Sequence, residues 1–282
     1  MLSLHSNLKG KVAVITGGGG VLCGEMAKEL ARQGVKVAVL SRKKDNAQKV
    51  ADDITRDGGE AIALACDVLD KESIEAADHA IHQQYGSYDI LVNGAGGNHP
   101  DAATSEEFFR NSHLDNEDVK TFFDLTEEGI KHVFDLNYVG TVLSTQVFMK
   151  HMLGKEDASI INISSMSAPT PMTKVISYSA AKAGIDNFTQ WLAVHMAKEN
   201  IRCNAIAPGF FLTSQNRNML LDAQGEMTNR AEKIISQTPM ERFGKPEDLT
   251  GPLVWLVDSS MSRFVTGITI PVDGGFMAYS GV

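Results

Sequence analysis

Cysteine is scarce in this chain: Cys23, Cys66 and Cys203 stand far apart among 282 residues. An odd, scattered set makes no disulfide framework and no metal-binding pair, and the compartment it points to is the reducing cytosol. The eight histidines show no ligand spacing either, so a catalytic metal is not expected. No uncharged apolar run is long enough to span a bilayer. Residues 1–10 carry polar and charged side chains where a signal peptide needs an apolar centre. Positive charge is in deficit, with 26 Lys and Arg against 35 Asp and Glu and a formal net charge of −9. That balance argues against a nucleic-acid partner. Linkers, internal repeats and low-complexity tracts are absent as well, and one large domain is the simplest account.

What the chain has in plenty is glycine, 25 residues, much of it just after apolar runs. Residues 11–16 suit a buried parallel strand. Gly17, Gly18, Gly19 and Gly20 follow, then a helical pattern over 25–33 and a second strand over 35–40. Strand, glycine turn, helix and strand open a dinucleotide-binding unit, in which the turn admits a pyrophosphate to the backbone and the helix start supplies N–H groups. The second strand runs into Ser41, Arg42 and Lys43. Two cations here favour the 2′-phosphate of NADP over the free ribose of NAD, the plain alternative being a solvated helix start. Helices over 46–56 and 73–85 alternate with strands over 61–66 and 90–93. Asp67 is placed to accept a hydrogen bond from an adenine amino group. Asn93, Gly94, Ala95, Gly96 and Gly97 form a second loop that would lie close to a cofactor. Repeated units of this kind predict an α/β fold, a three-layer doubly wound parallel sheet of the Rossmann type.

The rhythm breaks at 98–125, an acidic, asparagine-rich insertion expected to hold a short helical or hairpin element. Its Phe108, Phe109, Phe122 and Phe123 are expected to tuck it against the body. His99, Arg110 and Asn111 are either substrate-facing or plain surface residues. A long helix follows over 127–153, with Asn137 and Gly140 in its middle. Both are poor interior helix residues and predict a kink or a bound water at Asn137. A strand over 159–163 leads through Ser164 and Ser165 to a helix over 175–199, whose Trp191, Leu192 and Met196 read as core or helix-interface residues. His195 reads as a packed or surface residue. The strand at 201–207 ends in Pro208 and Gly209. Residues 210–238 then form a candidate substrate lid with a helix near 229–236 and with Gln215, Asn216 and Arg217 toward the substrate. A helix over 247–258 and a strand over 267–272 close the chain.

Within this frame Tyr178 and Lys182 stand four apart on one helix face, thirteen residues after Ser165. A phenol beside a fixed ammonium exchanges its proton more easily than a phenol alone, and a serine hydroxyl nearby can hold a carbonyl or alcohol oxygen. The set is suited to moving a proton on and off a substrate oxygen while a cofactor carries the hydride.

Taken in order, these residues resemble the short-chain dehydrogenase/reductase family over essentially the whole chain. The likeness rests on Thr16 and Gly17 with the glycine turn, Asp67, Asn93 to Gly96, Asn137, Ser165, Tyr178 with Lys182, Pro208 with Gly209, and Val272 to Gly275. It implies that Tyr178 is the general acid or base, that Ser165 holds the reacting oxygen, and that Lys182 binds the nicotinamide ribose and biases Tyr178 toward the charged form. Asn137 would hold a water relaying protons to Lys182. Cofactor contacts would come from Thr16, Gly17, Gly18, Gly20, Val21 and Leu22, from Ser41, Arg42 and Lys43, and from Asp67 and Val68. Further contacts would come from Asn93, Gly94, Ala95 and Gly96, from Tyr178 and Lys182, and from Pro208, Gly209, Phe211 and Thr213. The family's turn has two more glycines, at slots that here hold Val21 and Cys23, so the turn takes a different backbone path or a shifted register. That turn, the insertion and the C-terminal tail resemble a sugar-acid subgroup. This implies an NAD(P)-dependent interconversion of a hexonate and its keto acid, D-mannonate and D-fructuronate above gluconate and 5-ketogluconate. An oxoacyl-thioester reductase and a non-catalytic nucleotide-binding protein are the remaining alternatives. A homotetramer is also implied, with the helices over 127–153 and 175–199 at one interface.

Overall fold

The computed structural model describes residues 2–213 and 217–281. Seven strands, β1 (Val12–Thr16), β2 (Lys36–Ser41), β3 (Glu60–Ala65), β4 (Ile90–Asn93), β5 (Ala158–Ile163), β6 (Ile201–Pro208) and β7 (Thr269–Val272), lie in the order β3-β2-β1-β4-β5-β6-β7. All are parallel. The side-chain period of two, with both faces of the sheet covered, explains why their sequences are largely apolar. Ala13, Ile15, Val37, Val39, Ile90 and Val92 feed one core, whereas Val12, Val14, Ala38, Leu40 and Leu91 feed the other. Helices α1 (Val21–Arg32), α2 (Lys44–Arg56) and α9 (Thr250–Val257) cover the first face. Helices α3 (Lys71–Tyr85), α5 (Gly140–Phe148) and α6 (Ile176–His195) cover the second. Each fully buried Val, Leu or Ile contributes roughly 1.5–3 kcal/mol. The expected doubly wound α/β sheet is therefore present.

Several boundaries differ from expectation. Helix α1 begins at Val21, not at 25. Gly20 caps it in an extended conformation, and the first helical hydrogen bond already runs from Gly24 N–H to Gly20 O at 2.8 Å. The segment over 127–153 is not one helix. It divides into α4 (Glu127–Phe134), a π turn (Asp135–Val139), α5 and a 3₁₀ turn (Met149–Met152). Asn137 causes the irregularity: its Nδ2 donates to Val133 O at 2.8 Å, taking the carbonyl that a regular ladder would give to its own backbone N–H. The final helix is likewise delayed by a 3₁₀ turn, Pro246–Leu249.

The insertion folds as short 3₁₀ turns, Pro100–Ala102, Asn111–His113 and Phe122–Asp124. Its phenylalanines do not tuck against the body. Phe108, Phe109, Phe122 and Phe123 are exposed, and three of them pack edge to face, Phe109 against Phe123 at 5.7 Å and Phe122 against Phe123 at 5.8 Å. Trp191 also departs from the core reading: it is exposed, while Leu192 and Met196 are buried, and it stacks on His195 at 4.7 Å. The lid region holds the short helix α7 (Arg217–Leu220) and α8 (Asn229–Ser236), the latter where expected. Helix α10 (Ser259–Ser262) precedes β7. Gln215 and Asn216 lie outside the described residues. No helix among the described residues is long and apolar enough to cross a membrane.

Candidate active site

The loops that leave the C-terminal ends of the strands converge on a cleft of about 610 Å³, where an open parallel sheet places its ligands. From β1 come Gly17, Gly19 and Gly20 with the first turn of α1; from β2, Ser41 and Arg42; beyond β3, Asp67 and Val68. Strand β4 supplies Gly94 to Gly97, β5 supplies Ser164, Ser165 and Met166, and β6 supplies Pro208, Gly209 and Phe210. Tyr178 and Lys182 face the same space from α6.

Two glycines are required by geometry. Gly17 has φ 66°, in the left-handed region, and a Cβ there would lie 2.6 Å from Gly94 O. A Cβ on Gly94 would lie 2.1 Å from Cys23 Sγ and 2.9 Å from Thr16 O. The thiol thus fills space that a side chain at position 94 would otherwise need. The Cys23 side chain in this unusual turn packs directly on a glycine at the end of the neighbouring strand. Backbone brought this close, with no side chain between it and the cleft, fits the pyrophosphate of a dinucleotide.

Lys182 is buried, and its Nζ donates to Ile163 O at 2.7 Å. Burial lowers its pKa to about 8, against the opposing pull of Cys23 and Asp186. The ammonium lies 5.7 Å from the centre of the Tyr178 ring. Burial also raises the Tyr178 phenol above its ordinary value, and the hydrogen bond with Ser165 works against that rise. Burial is the larger of these two effects. Ser165 is itself held in place, its Oγ accepting from Ser167 N at 3.1 Å and lying 3.0 Å from Ser167 Oγ.

Asn137 clamps the loop after β4. Its Nδ2 donates to Gly97 O at 2.7 Å, and its Oδ1 accepts from Gly97 N at 3.1 Å. A Cβ on Gly96 would sit 2.7 Å from Asn137 Oδ1 and 3.3 Å from Lys182 Nζ. Asn137 and Lys182 therefore flank the same glycine, although Asn137 does not line the cleft.

Other expected contacts lie behind the surface of the cleft. Thr16 is buried, and its Oγ1 accepts from Gly94 N at 3.1 Å and Ala95 N at 3.3 Å; it shapes the loop from below. Asn93 is buried in a polar chain across the sheet, its Nδ2 donating to Thr145 Oγ1 and Asn162 Oδ1, both at 2.9 Å. The chain continues from Thr145 Oγ1 to Thr141 O and from Thr141 Oγ1 to Asn137 O on one side. On the other it runs from Asn162 Nδ2 to Thr189 Oγ1 and from Thr189 Oγ1 to Ile185 O, one turn from Lys182. Gly18 packs toward Val39 and Ile15. Lys43 is exposed at the start of α2. Phe211 is buried against Gly244, and Thr213 stands half-buried at the start of the lid. Arg110, Asn111 and Arg217 are exposed, and none of them lines the cleft. His99 packs edge to face on His132 at 5.2 Å.

Sequence reasoning placed Gly19 and Gly97 in loops beside the cofactor but missed Cys23, Asn46, Leu136, Met172 and Phe210 as contacts, and all of these line the cleft. Asn46 stood in the sequence only as a helix start, and the structure packs it on Gly19, 2.8 Å from a hypothetical Cβ there to Asn46 Cβ. The methionine and leucine carried no signal.

Comparison with known proteins agrees with this geometry. Residues 11–224 match the short chain dehydrogenase family. An uncharacterized oxidoreductase of Bacillus subtilis is 57% identical over the full length of both chains. A crystal structure of a candidate D-mannonate oxidoreductase from Haemophilus influenza, with bound NAD, superposes with a TM-score of 0.94 at 53% identity, covering 98% of each chain. The 2-dehydro-3-deoxy-D-gluconate 5-dehydrogenase of Escherichia coli is 33% identical, over 96% of this chain and 97% of that one. The chain belongs to the short-chain dehydrogenase family, and it is an oxidoreductase.

Proposed function

We propose that this short-chain dehydrogenase interconverts a sugar-acid alcohol and its ketone, with D-mannonate and D-fructuronate as the preferred pair. The grouping of Tyr178, Ser165 and Lys182 at one point of the cleft carries the reaction class. The full-length likeness to the candidate D-mannonate oxidoreductase supports the substrate.

NAD(P) would be held by the glycine turn, by Ser41 and Arg42 at the adenosine ribose, by Asp67 and Val68 at the adenine, and by Gly94 to Gly96 and Lys182 at the nicotinamide end. When bound it accepts or supplies the hydride. The remaining chemistry falls to this chain. In the oxidation direction the Tyr178 phenolate takes the alcohol proton as the carbon gives up its hydride; in reduction the neutral phenol returns a proton to the carbonyl oxygen. Ser165 donates to that oxygen and orients it. Lys182 supplies positive charge beside Tyr178. Asn137, which flanks Gly96 together with Lys182, would hold a water through which the proton leaves. Strand β2 ends in Ser41 and Arg42 with no carboxylate, which supports NADP at least as well as the NAD bound in the Haemophilus protein.

The exposed apolar residues Phe134, Val139, Ile176, Trp191 and Val194 between α4 and α6 support a homotetramer, which a light-scattering mass would check, and three free buried cysteines suit the cytoplasm. Cofactor reduction across a panel of hexonates, with NAD and NADP in turn, tests the substrate. Turnover with mannonate above gluconate supports the proposal, and turnover with neither sinks it. A 2-keto-3-deoxy hexonate is the second reading, favoured by the Escherichia coli relative.

A further inference from the structure

A hydroxyl has one proton to give and two lone pairs that accept. What Ser165 can do for a reacting oxygen therefore depends on what already occupies it. The backbone around it is fixed. Beyond the end of β5 the chain stays paired to β6, with Ser164 N donating to Ile206 O at 2.8 Å and Met166 N to Pro208 O at 3.1 Å. A turn then closes as Ala168 N donates to Ser165 O at 3.0 Å. Ser165 lines the cleft, whereas Ser167 is fully buried and does not.

Two groups of Ser167 reach Ser165 Oγ. Its N–H donates at 3.1 Å, a common arrangement in a serine turn. Its hydroxyl lies 3.0 Å away, and a simple turn does not require that second contact. The direction of the contact follows from the protons. Among the described residues the Ser167 hydroxyl has no hydrogen-bond partner but Ser165. If Ser165 donated to it, the Ser167 proton would be buried with no acceptor, a costly state for a polar group. With Ser167 donating, both protons are placed. The N–H and O–H of Ser167 then fill both lone pairs of Ser165 Oγ. The Ser165 proton is left to the cleft, where its hydrogen bond with Tyr178 runs.

We propose that Ser167 is a positioning residue that makes Ser165 a donor only, by occupying both of its lone pairs. The inference rests on the roles given to Ser165 and Tyr178 above and extends them to a residue outside the cleft. A donor that cannot turn round favours negative charge on the oxygen it faces. That oxygen is the Tyr178 phenolate in the resting site and the substrate oxygen as the hydride moves. Ser165 also receives hydrogen bonds before it gives one, which strengthens the one it gives. With a lone pair released, Ser165 could instead accept from the neutral phenol and favour its protonated form.

The test is a cycle of Ser165→Ala, Ser167→Ala and the double variant. Ser167→Cys, a weak donor of similar shape, and Tyr178→Phe serve as references. Oxidation is followed against pH, with NAD or NADP, on the hexonate that the parent turns over fastest. Ser167→Ala should lower kcat about three- to tenfold, leave KM near the parent value and move the oxidation profile to higher pH. Ser167→Cys should fall between it and the parent. The double variant should match Ser165→Ala, because Ser167 acts only through Ser165. Ultraviolet difference titration of Tyr178 in the NAD complex, taken against Tyr178→Phe, reads the same shift without turnover. The inference is thus decided even if the parent is inactive on every hexonate. A Ser167→Ala variant with the parent's pH profile and titration overturns it, as does a double variant that loses a comparable further factor over Ser165→Ala. Full turnover in Ser165→Ala would instead refute the role given to Ser165 itself. Cofactor titration and melting of each variant verify that it is folded; should Ser167→Ala fail to fold, Ser167→Cys decides by the same readings.

Discussion

Replacing Gly94 by alanine should be among the most damaging single-methyl changes in the protein. The added carbon would sit 2.1 Å from Cys23 Sγ, where carbon and sulfur normally stay well beyond 3 Å, and 2.9 Å from Thr16 O, a backbone atom of β1. Both neighbours are buried. Overpacking of this kind costs about 1–3 kcal/mol, which for a domain near this size lowers Tm by about 2–4 °C per kcal/mol. The Sγ contact is the worse of the two, so the cost should depend on residue 23. Cys23→Ala alone removes a buried sulfur at about 1 kcal/mol. Made in the Gly94→Ala background, it also removes the clash, leaving Cys23 Cβ at 3.4 Å and Thr16 O at 2.9 Å. The double variant should therefore be more stable than the sum of the singles by about 1–2 kcal/mol. Urea unfolding of the four proteins, followed by fluorescence, supplies the cycle. Additive values would refute the claim that thiol and glycine are matched.

Three further outcomes follow from the site. Tyr178→Phe should lower kcat by about 10²–10⁴ with cofactor affinity kept, as read by fluorescence titration; retained turnover would exclude Tyr178 as the acid or base. Alcohol oxidation needs the phenolate and ketone reduction the phenol, so oxidation should rise with pH and reduction should fall. Because Ser165 opposes the upward shift of Tyr178, Ser165→Ala should move the oxidation profile to higher pH as well as lowering kcat. Lys182 has a folded pKa near 8 against an ordinary 10.5. The unfolded chain therefore holds more protons between those values, and the charged lysine destabilises the fold below about pH 8, an effect relieved as pH rises toward 10.5. In apo-protein melts Lys182→Met should exceed the parent in Tm most at neutral pH, with the gap closing above pH 8.

The sheet was legible because its central strands are buried on both faces, and apolar runs with glycine at their ends permit few other folds. The same logic placed Tyr178, Lys182 and Ser165, whose positions follow from the end of β5 and the spacing along α6. Asn137 was legible as a disturbance, and its physical form, a side chain taking the Val133 carbonyl, needed coordinates. Thr16 and Asn93 were misplaced by proximity in sequence. Each adjoins the cleft, but the alternation of a strand turns its side chain inward. Phe108, Phe122 and Trp191 misled for a different reason: apolar character calls for burial but does not say against what, and in this chain they are exposed. Cys23 could not be understood alone, since its counterpart Gly94 is 71 positions away.

The buried polar chain that runs from Asn137 through Thr141, Thr145, Asn93, Asn162 and Thr189 to Ile185 has a consequence for assembly of the fold. Apolar strands offer many nearly equivalent pairings, because a slip of two residues returns every side chain to the same face. In the native pairing Asn93 stands beside Thr16 on one side and Asn162 on the other. Moving β4 by two residues against β5 would strand two amides in a dry interior, each at a cost of about 1–3 kcal/mol. The chain therefore acts as a key that fits one alignment of the central strands. A sheet with Asn93 and Asn162 replaced by leucine would lose that discrimination and collapse into several alignments, in which Tyr178 and the glycine loops no longer meet.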